Sequence, residues 1–111
     1  MKTIVYFVSE DWYFCSHRLS IARKALAEGF KVVVVTRVSK HRDVIKSEGF
    51  ELAPIEIKRR GMNLFTEFKT IFQLYSYYKK YNPDIVHHVA IKPVIYGTLV
   101  ARFIGSIKIV N

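Results

Sequence analysis

Two adjacent histidines and a lysine crowd the segment Asp84–Pro93, DIVHHVAIKP, as His87, His88 and Lys92. An imidazole can move a proton near neutral pH. A lysine just before a helix-opening proline is either a solvated loop residue or part of an anion site at a helix N-terminus. Neighbours on a strand point to opposite faces, so one imidazole packs in the core and the other is free to face a crevice. For the same reason the pair does not converge on one metal ion. Glu10 and Asp11 follow the first apolar run. They offer a general base or acceptors for sugar hydroxyls, or else form a solvated turn. His17 and Arg18 stand at a helix start, where the helix dipole disfavours cations, which points to an anionic partner. Arg59 and Arg60 lie in the basic stretch KRRGMN, as phosphate contacts or as solvated loop residues. Trp12, Tyr13 and Phe14 read as loop packing, or as a lid or acceptor platform.

The elements that must position these residues alternate. Thr3–Val8 is an apolar, β-branched run, and Lys31–Thr36 (KVVVVT) reads as a central strand. Between them a helix is expected from His17 to Glu28, capped by Ser16 and closed by Gly29. Ser39 is expected to cap a second helix to Glu48, followed by a strand over Glu51–Ile55. The tripeptide EGF at 28–30 and 48–50 marks the same helix-to-strand turn twice. The longest helix is expected over Leu64–Tyr81, stopped by Asn82–Pro83. Its broad apolar stripe of Leu64, Phe68, Ile71, Tyr75 and Tyr78, widened by Phe65, Phe72 and Leu74, reads as a core face. The alternative is an aromatic and lysine-bearing face on a membrane surface. A strand at Ile85–His88, a helix from Pro93 to Ile104 and a strand at Ile107–Val110 complete the chain.

Such alternation predicts an α/β fold, a doubly wound, Rossmann-like parallel sheet of five strands in the order 3-2-1-4-5. In that topology every strand-to-helix connection lies on the carboxyl edge of the sheet, where ligands sit. The helix-to-strand turns are plain. The strand-to-helix connections carry Ser9–Cys15, Arg37, Lys58–Arg60, His87, His88 and Lys92. The chemistry is therefore expected along one rim.

Composition bounds the partners. The 111 residues suffice for one domain, and half of them are hydrophobic. The net charge of +9 is uneven: nine Lys/Arg against seven Asp/Glu in residues 1–56, nine against two in residues 57–111. The second half should seek phosphate or an anionic surface. A single cysteine, Cys15, excludes an internal disulfide. The opening residues lack a signal-peptide pattern, so a cytoplasmic location is expected. GxGxxG, GxxxxGK[ST] and GxSxG are all absent, which argues against dinucleotide, P-loop and α/β-hydrolase chemistry.

FVSEDWYFCSHRL, RRGMN and DIVHHVAIKPVIYG together resemble the N-terminal domain of family 4 glycosyltransferases with the GT-B fold, in the bacterial branch that builds capsule, O-antigen and carrier-linked glycans. The resemblance implies that residues 1–111 form one Rossmann-like, acceptor-side domain. A C-terminal donor-binding domain, absent here, would face it across a cleft. It implies a lipid-linked or polysaccharide acceptor, often a sugar on undecaprenyl diphosphate. It also implies an anionic membrane surface as a peripheral partner and a nucleotide sugar as co-substrate of the full enzyme. No cofactor or metal would be bound by this domain, and this chain alone should not catalyse transfer. The acceptor-binding candidates are Glu10, Asp11, His17, Arg59, Arg60, His87, His88 and Lys92; the resemblance assigns none of them a catalytic role. Two departures stand out. His87 matches the first histidine of the family's DxVHxH, but Val89 occupies the place of the second, leaving His88 and Lys92 as alternatives. Ser9–Ser16 replaces the family's glycine-rich loop.

Two other readings fit the residues. One is a non-catalytic subunit that docks an acceptor and recruits a separate donor-binding chain. The other is a nucleic-acid binder; without a recognition helix or a stacking motif, no nucleic-acid partner is expected.

Overall fold

The computed structural model describes residues 1–57 and 64–111. Five parallel strands form one sheet: β1 (Thr3–Glu10), β2 (Lys31–Arg37), β3 (Glu51–Pro54), β4 (Ile85–Val89) and β5 (Lys108–Val110). Their order is β3-β2-β1-β4-β5, as the alternation predicts. The helices are α1 (Asp11–His17), α2 (Leu19–Ala27), α3 (Arg42–Ser47), α4 (Leu64–Tyr81) and α5 (Ile91–Ile104).

The period-2 pleat divides the core into two layers. Val5, Phe7, Val33 and Val35 face α4 and α5, where Leu74, Tyr78, Val100 and Ala101 meet them. Tyr6, Val8, Val32 and Val34 face the other way, against Phe14, Ala22, Ile45 and Phe50. The central strands are buried on both faces, hence their unbroken apolar runs. Gly29 (φ +96°) and Gly49 (φ +87°) adopt the left-handed conformation that the repeated EGF turn requires.

Four local expectations are corrected. The first connection is not a loop: α1 begins at Asp11, and the backbone breaks at Arg18 (φ −124°, ψ −3°) before α2. One helical turn swings Phe14 into the core, with its ring 5.7 Å from Tyr6 and 6.0 Å from Phe50. Ser16 caps nothing. Ser39 caps no helix either, because its N–H and hydroxyl both serve Asp11, and α3 starts later, at Arg42. The last helix starts at Ile91 rather than Pro93; proline is tolerated in the first turn, whose N–H groups lack intrahelical acceptors.

The fourth correction concerns α4. Its bounds match the sequence reading, but its buried residues are Thr70, Leu74 and Tyr78. Leu64, Phe65, Phe68 and Phe72 are exposed, so the expected broad core face is much narrower.

Candidate functional site

A crevice of about 400 Å³ opens at the carboxyl ends of β1 and β4. It is lined by Val8, Ser9, Glu10, Trp12, Tyr13, Ala90, Ile91 and Lys92. This is the point where the strand order reverses direction, the place where open α/β sheets hold ligands. Its size suits a small molecule or one sugar ring with its substituents.

The first wall is built by β1 running into α1. The β1–β2 register slips between Val8 and Glu10, and the last rung pairs Glu10 with Arg37. The Glu10 carboxylate lies 3.5 Å from the Arg37 guanidinium, so this acid at the rim is held by a cation. Trp12 and Tyr13, on the first turn of α1, present an edge-to-face aromatic pair with centroids 5.7 Å apart. Trp12 is 41% exposed, a large apolar ring left accessible at the crevice.

The opposite wall is the junction of β4 with α5. Ala90 sits at φ +82°, ψ 166°, a region otherwise kept for glycine. The strained residue lines the crevice, where the chain turns abruptly from strand to helix. Lys92 follows, its Nζ 3.0 Å from Glu67 Oε1 on α4. Tyr96 donates its hydroxyl to the other oxygen of the same carboxylate. Burial, then this carboxylate, pushes the Tyr96 phenol up to about 12. Glu67 thus ties Lys92 to the rim through two neighbouring helices.

The remaining candidates are placed elsewhere. Asp11 is fully buried and points away from the crevice into the loop after β2. It accepts the Ser39 N–H and hydroxyl, each at 2.8 Å, and the His41 N–H at 3.0 Å. Burial alone would raise its pKa; the hydrogen bonds from Ser39, His41 and Trp12 outweigh that and hold the carboxyl below the usual range. Neither the acceptor role nor the solvated turn fits it, since these bonds occupy the carboxylate.

His88 is the core histidine, 2% exposed. The Tyr78 hydroxyl lies 2.9 Å from its Nε2, and Asn111 Oδ1 lies 2.9 Å from its Nδ1. A neutral ring that donates from Nδ1 and accepts at Nε2 satisfies both. Burial lowers its pKa, the Asn111 bond opposes this, and His87 adds to it. His87 points to the opposite face, as the strand geometry requires, with its ring 5.3 Å from Tyr6. Burial, and then Arg18, lowers its pKa. Neither imidazole lines the crevice.

His17 stacks on Tyr13 (4.2 Å, 18°) and so buttresses a crevice residue without lining the crevice itself. Arg59 and Arg60 lie outside the described residues. Among the described residues, no three His, Cys, Asp or Glu side chains come together to hold a metal ion. Of the eight candidates, the structure brings Glu10 and Lys92 to the crevice, with His17 one contact behind. Sequence reasoning missed Ala90, whose strain no residue type announces, and Glu67, which the chain places 25 residues before its partner.

Residues 3–111 match the model of the glycosyl transferase 4-like family. No curated protein matches the chain. Among solved structures, MurG from Acinetobacter baumannii superposes with a TM-score of 0.77 at 20% identity over 98% of this chain and 33% of its own. A glycosyltransferase from Rickettsia africae gives 0.76 at 16% identity, covering 97% and 28%. The C-terminal domain of a Pyrococcus furiosus hydrogenase gives 0.67 at 11% identity, covering 97% and 88%. At such identities the likeness shows the fold. The chain spans about a third of the length of the first two.

Proposed function

Because the chain belongs to the glycosyl transferase 4-like family, we propose that it is the acceptor-binding part of a GT-B sugar transferase. The intact enzyme would move a sugar from a nucleotide diphosphate donor to a hydroxyl of a lipid-linked or polysaccharide acceptor. In this reading it belongs to bacterial surface-glycan assembly, of capsule or O-antigen type. A sugar on undecaprenyl diphosphate is the acceptor proposed, reached at the inner face of the plasma membrane. The donor-binding domain acts in cis or in trans and holds the nucleotide sugar.

The observation that carries this is the crevice at the switch point. It offers what a sugar requires: an aromatic platform from Trp12 and Tyr13, a carboxylate at Glu10 for hydroxyls, and a cation at Lys92 for a phosphate beyond the ring. Glu10 is the rim residue suited to accept a proton from the attacking hydroxyl. Its carboxylate is held at the rim by its pairing with Arg37. His88 takes no part, because Tyr78 and Asn111 occupy both ring nitrogens.

The test is a split of kinetic constants in the intact transferase. Trp12→Ala should raise the acceptor KM about tenfold or more while leaving the donor KM unchanged, and Glu10→Gln should lower kcat. An unchanged acceptor KM in a folded Trp12→Ala enzyme would refute the site. Residues 1–111 alone should give no sugar transfer.

A further inference from the structure

We infer that a second cavity, beside the crevice on the same sheet edge, is a subsite for an acidic sugar residue, one that bears a single anionic group. The inference rests on the acceptor reading and deepens it: the saccharide would extend from the crevice across β2 and β3, with its charged residue seated in this cavity.

The cavity, of about 590 Å³, lies at the carboxyl ends of β2 and β3, beside α4. The strand order puts it two strand spacings from the crevice, about 10 Å, within the reach of a short oligosaccharide. Arg37 joins the two sites. It lines this cavity, and its guanidinium lies 3.5 Å from Glu10, which lines the crevice. Val38, Pro54 and Ile55 give an apolar floor, a surface for the carbon face of a sugar ring. Thr66 and Gln73 line it from α4 and bring groups for hydroxyls. This wall is fixed before any ligand arrives. Gln73 Oε1 accepts the Glu56 N–H at 3.2 Å, and the Thr70 hydroxyl donates to the Glu56 carbonyl at 2.5 Å. The Gln73 oxygen is thereby used, so its NH2 is the group left to donate.

Charge selects among sugars. Arg37 is matched by Glu10, and Glu56 by Lys69, whose Nζ lies 3.2 Å from Glu56 Oε2. Arg42, the first residue of α3, lines the cavity and forms no ion pair among the described residues. One guanidinium in excess calls for one anionic group on the ligand. Its planar fork takes a carboxylate or a phosphate through two hydrogen bonds. A neutral sugar would gain nothing from it. None of the described lining residues is aromatic, so a nucleotide base finds nothing to stack on.

The test is an NMR titration of the isotope-labelled protein with glucuronic acid, glucose 6-phosphate, glucose and inorganic phosphate. Saturable shifts of the Val38, Arg42 and Gln73 signals are expected with at least one acidic sugar, and glucose should bind about tenfold more weakly. The tighter of the two acidic sugars tells whether the group is a carboxylate or a phosphate. Arg42→Met should weaken the acidic sugar about tenfold, to the level of glucose, and Arg42→Lys should weaken it less. Lys24→Met, which removes an exposed cation of α2 outside the cavity, should bind like the parent. Circular dichroism checks that each variant is folded. The subsite is overturned by glucose binding as tightly as both acidic sugars, or by acidic-sugar binding that survives Arg42→Met. It is equally overturned by inorganic phosphate binding as tightly as the acidic sugars, since the cavity would then hold an anion and no sugar, or by no shifts at these residues. The Trp12 indole signal keeps the two readings apart: a response there to any of the sugars, with none at Arg42 and Gln73, sinks the subsite and leaves the sugar-transfer reading standing.

Discussion

Asp11 and His88 show how the fold encloses polar groups that a sequence motif offers for chemistry. The Asp11 carboxylate is the common acceptor for the loop after β2. Asp11→Ala would orphan two N–H groups and should cost about 2–4 kcal/mol in urea unfolding; Asp11→Asn, which keeps an oxygen in place, should cost much less. His88 is favoured neutral when folded, because its pKa lies below the unfolded value. The sign follows: the unfolded chain binds the extra proton, so this contribution is complete above about pH 6.5 and is lost as pH falls toward the lower folded pKa. His87 shifts in the same direction. Stability should therefore decline from pH 7 to pH 5 in thermal melts, with a shallower slope in a folded His88→Gln variant. Ala90 gives the opposite case. Replacing it with glycine relieves the positive φ and should stabilise by about 1 kcal/mol, with any change in acceptor kinetics reporting what the strain does for the crevice. Sequence spacing correctly set the two histidines on opposite faces. It did not reveal that Asp11 turns inward, because that depends on Ser39, 28 residues away.

At the scale of elements, α4 separates what periodicity can and cannot tell. Its bounds were legible, since Asn82–Pro83 ends it plainly. Its buried side was not, because apolar residues occupy more than half of its circumference and several faces satisfy the same spacing. Packing against β1, β2 and α5 chose Leu74 and Tyr78, while the Thr70 hydroxyl donates to the Glu56 carbonyl after β3. Leu74→Ala should then cost about 2–5 kcal/mol, whereas Phe72→Ser should stay within about 0.5 kcal/mol in the same unfolding assay. The α5 helix is constrained differently. A Cβ on Gly97 would lie 2.2 Å from His88 Nε2, so this glycine is what lets the helix approach β4. The first connection was misread as a loop because Trp12-Tyr13-Phe14 carries no cap signal. The helix exists because Phe14 must reach the core.

For the whole molecule, strand–helix alternation pointed to a parallel sheet, and parallel strands place the polar connections on one edge. The crevice lies on that edge, yet only part of the expected set meets there. Edge membership is a property of topology; direction is set side chain by side chain by whichever partner lies nearest. The charge asymmetry found its place too, with the basic half supplying α4 and α5 and the acid-balanced half supplying β1 to β3. Trp12, the only tryptophan, stands at the crevice and can report on it directly. The decisive measurement is a fluorescence titration of the protein with a short-chain polyprenyl diphosphate sugar. A saturable change in Trp12 emission, weakened by Glu10→Gln and by Lys92→Met in folded variants, is the predicted result. Emission that never responds, while the intact transferase still turns over the same compound, would contradict the account.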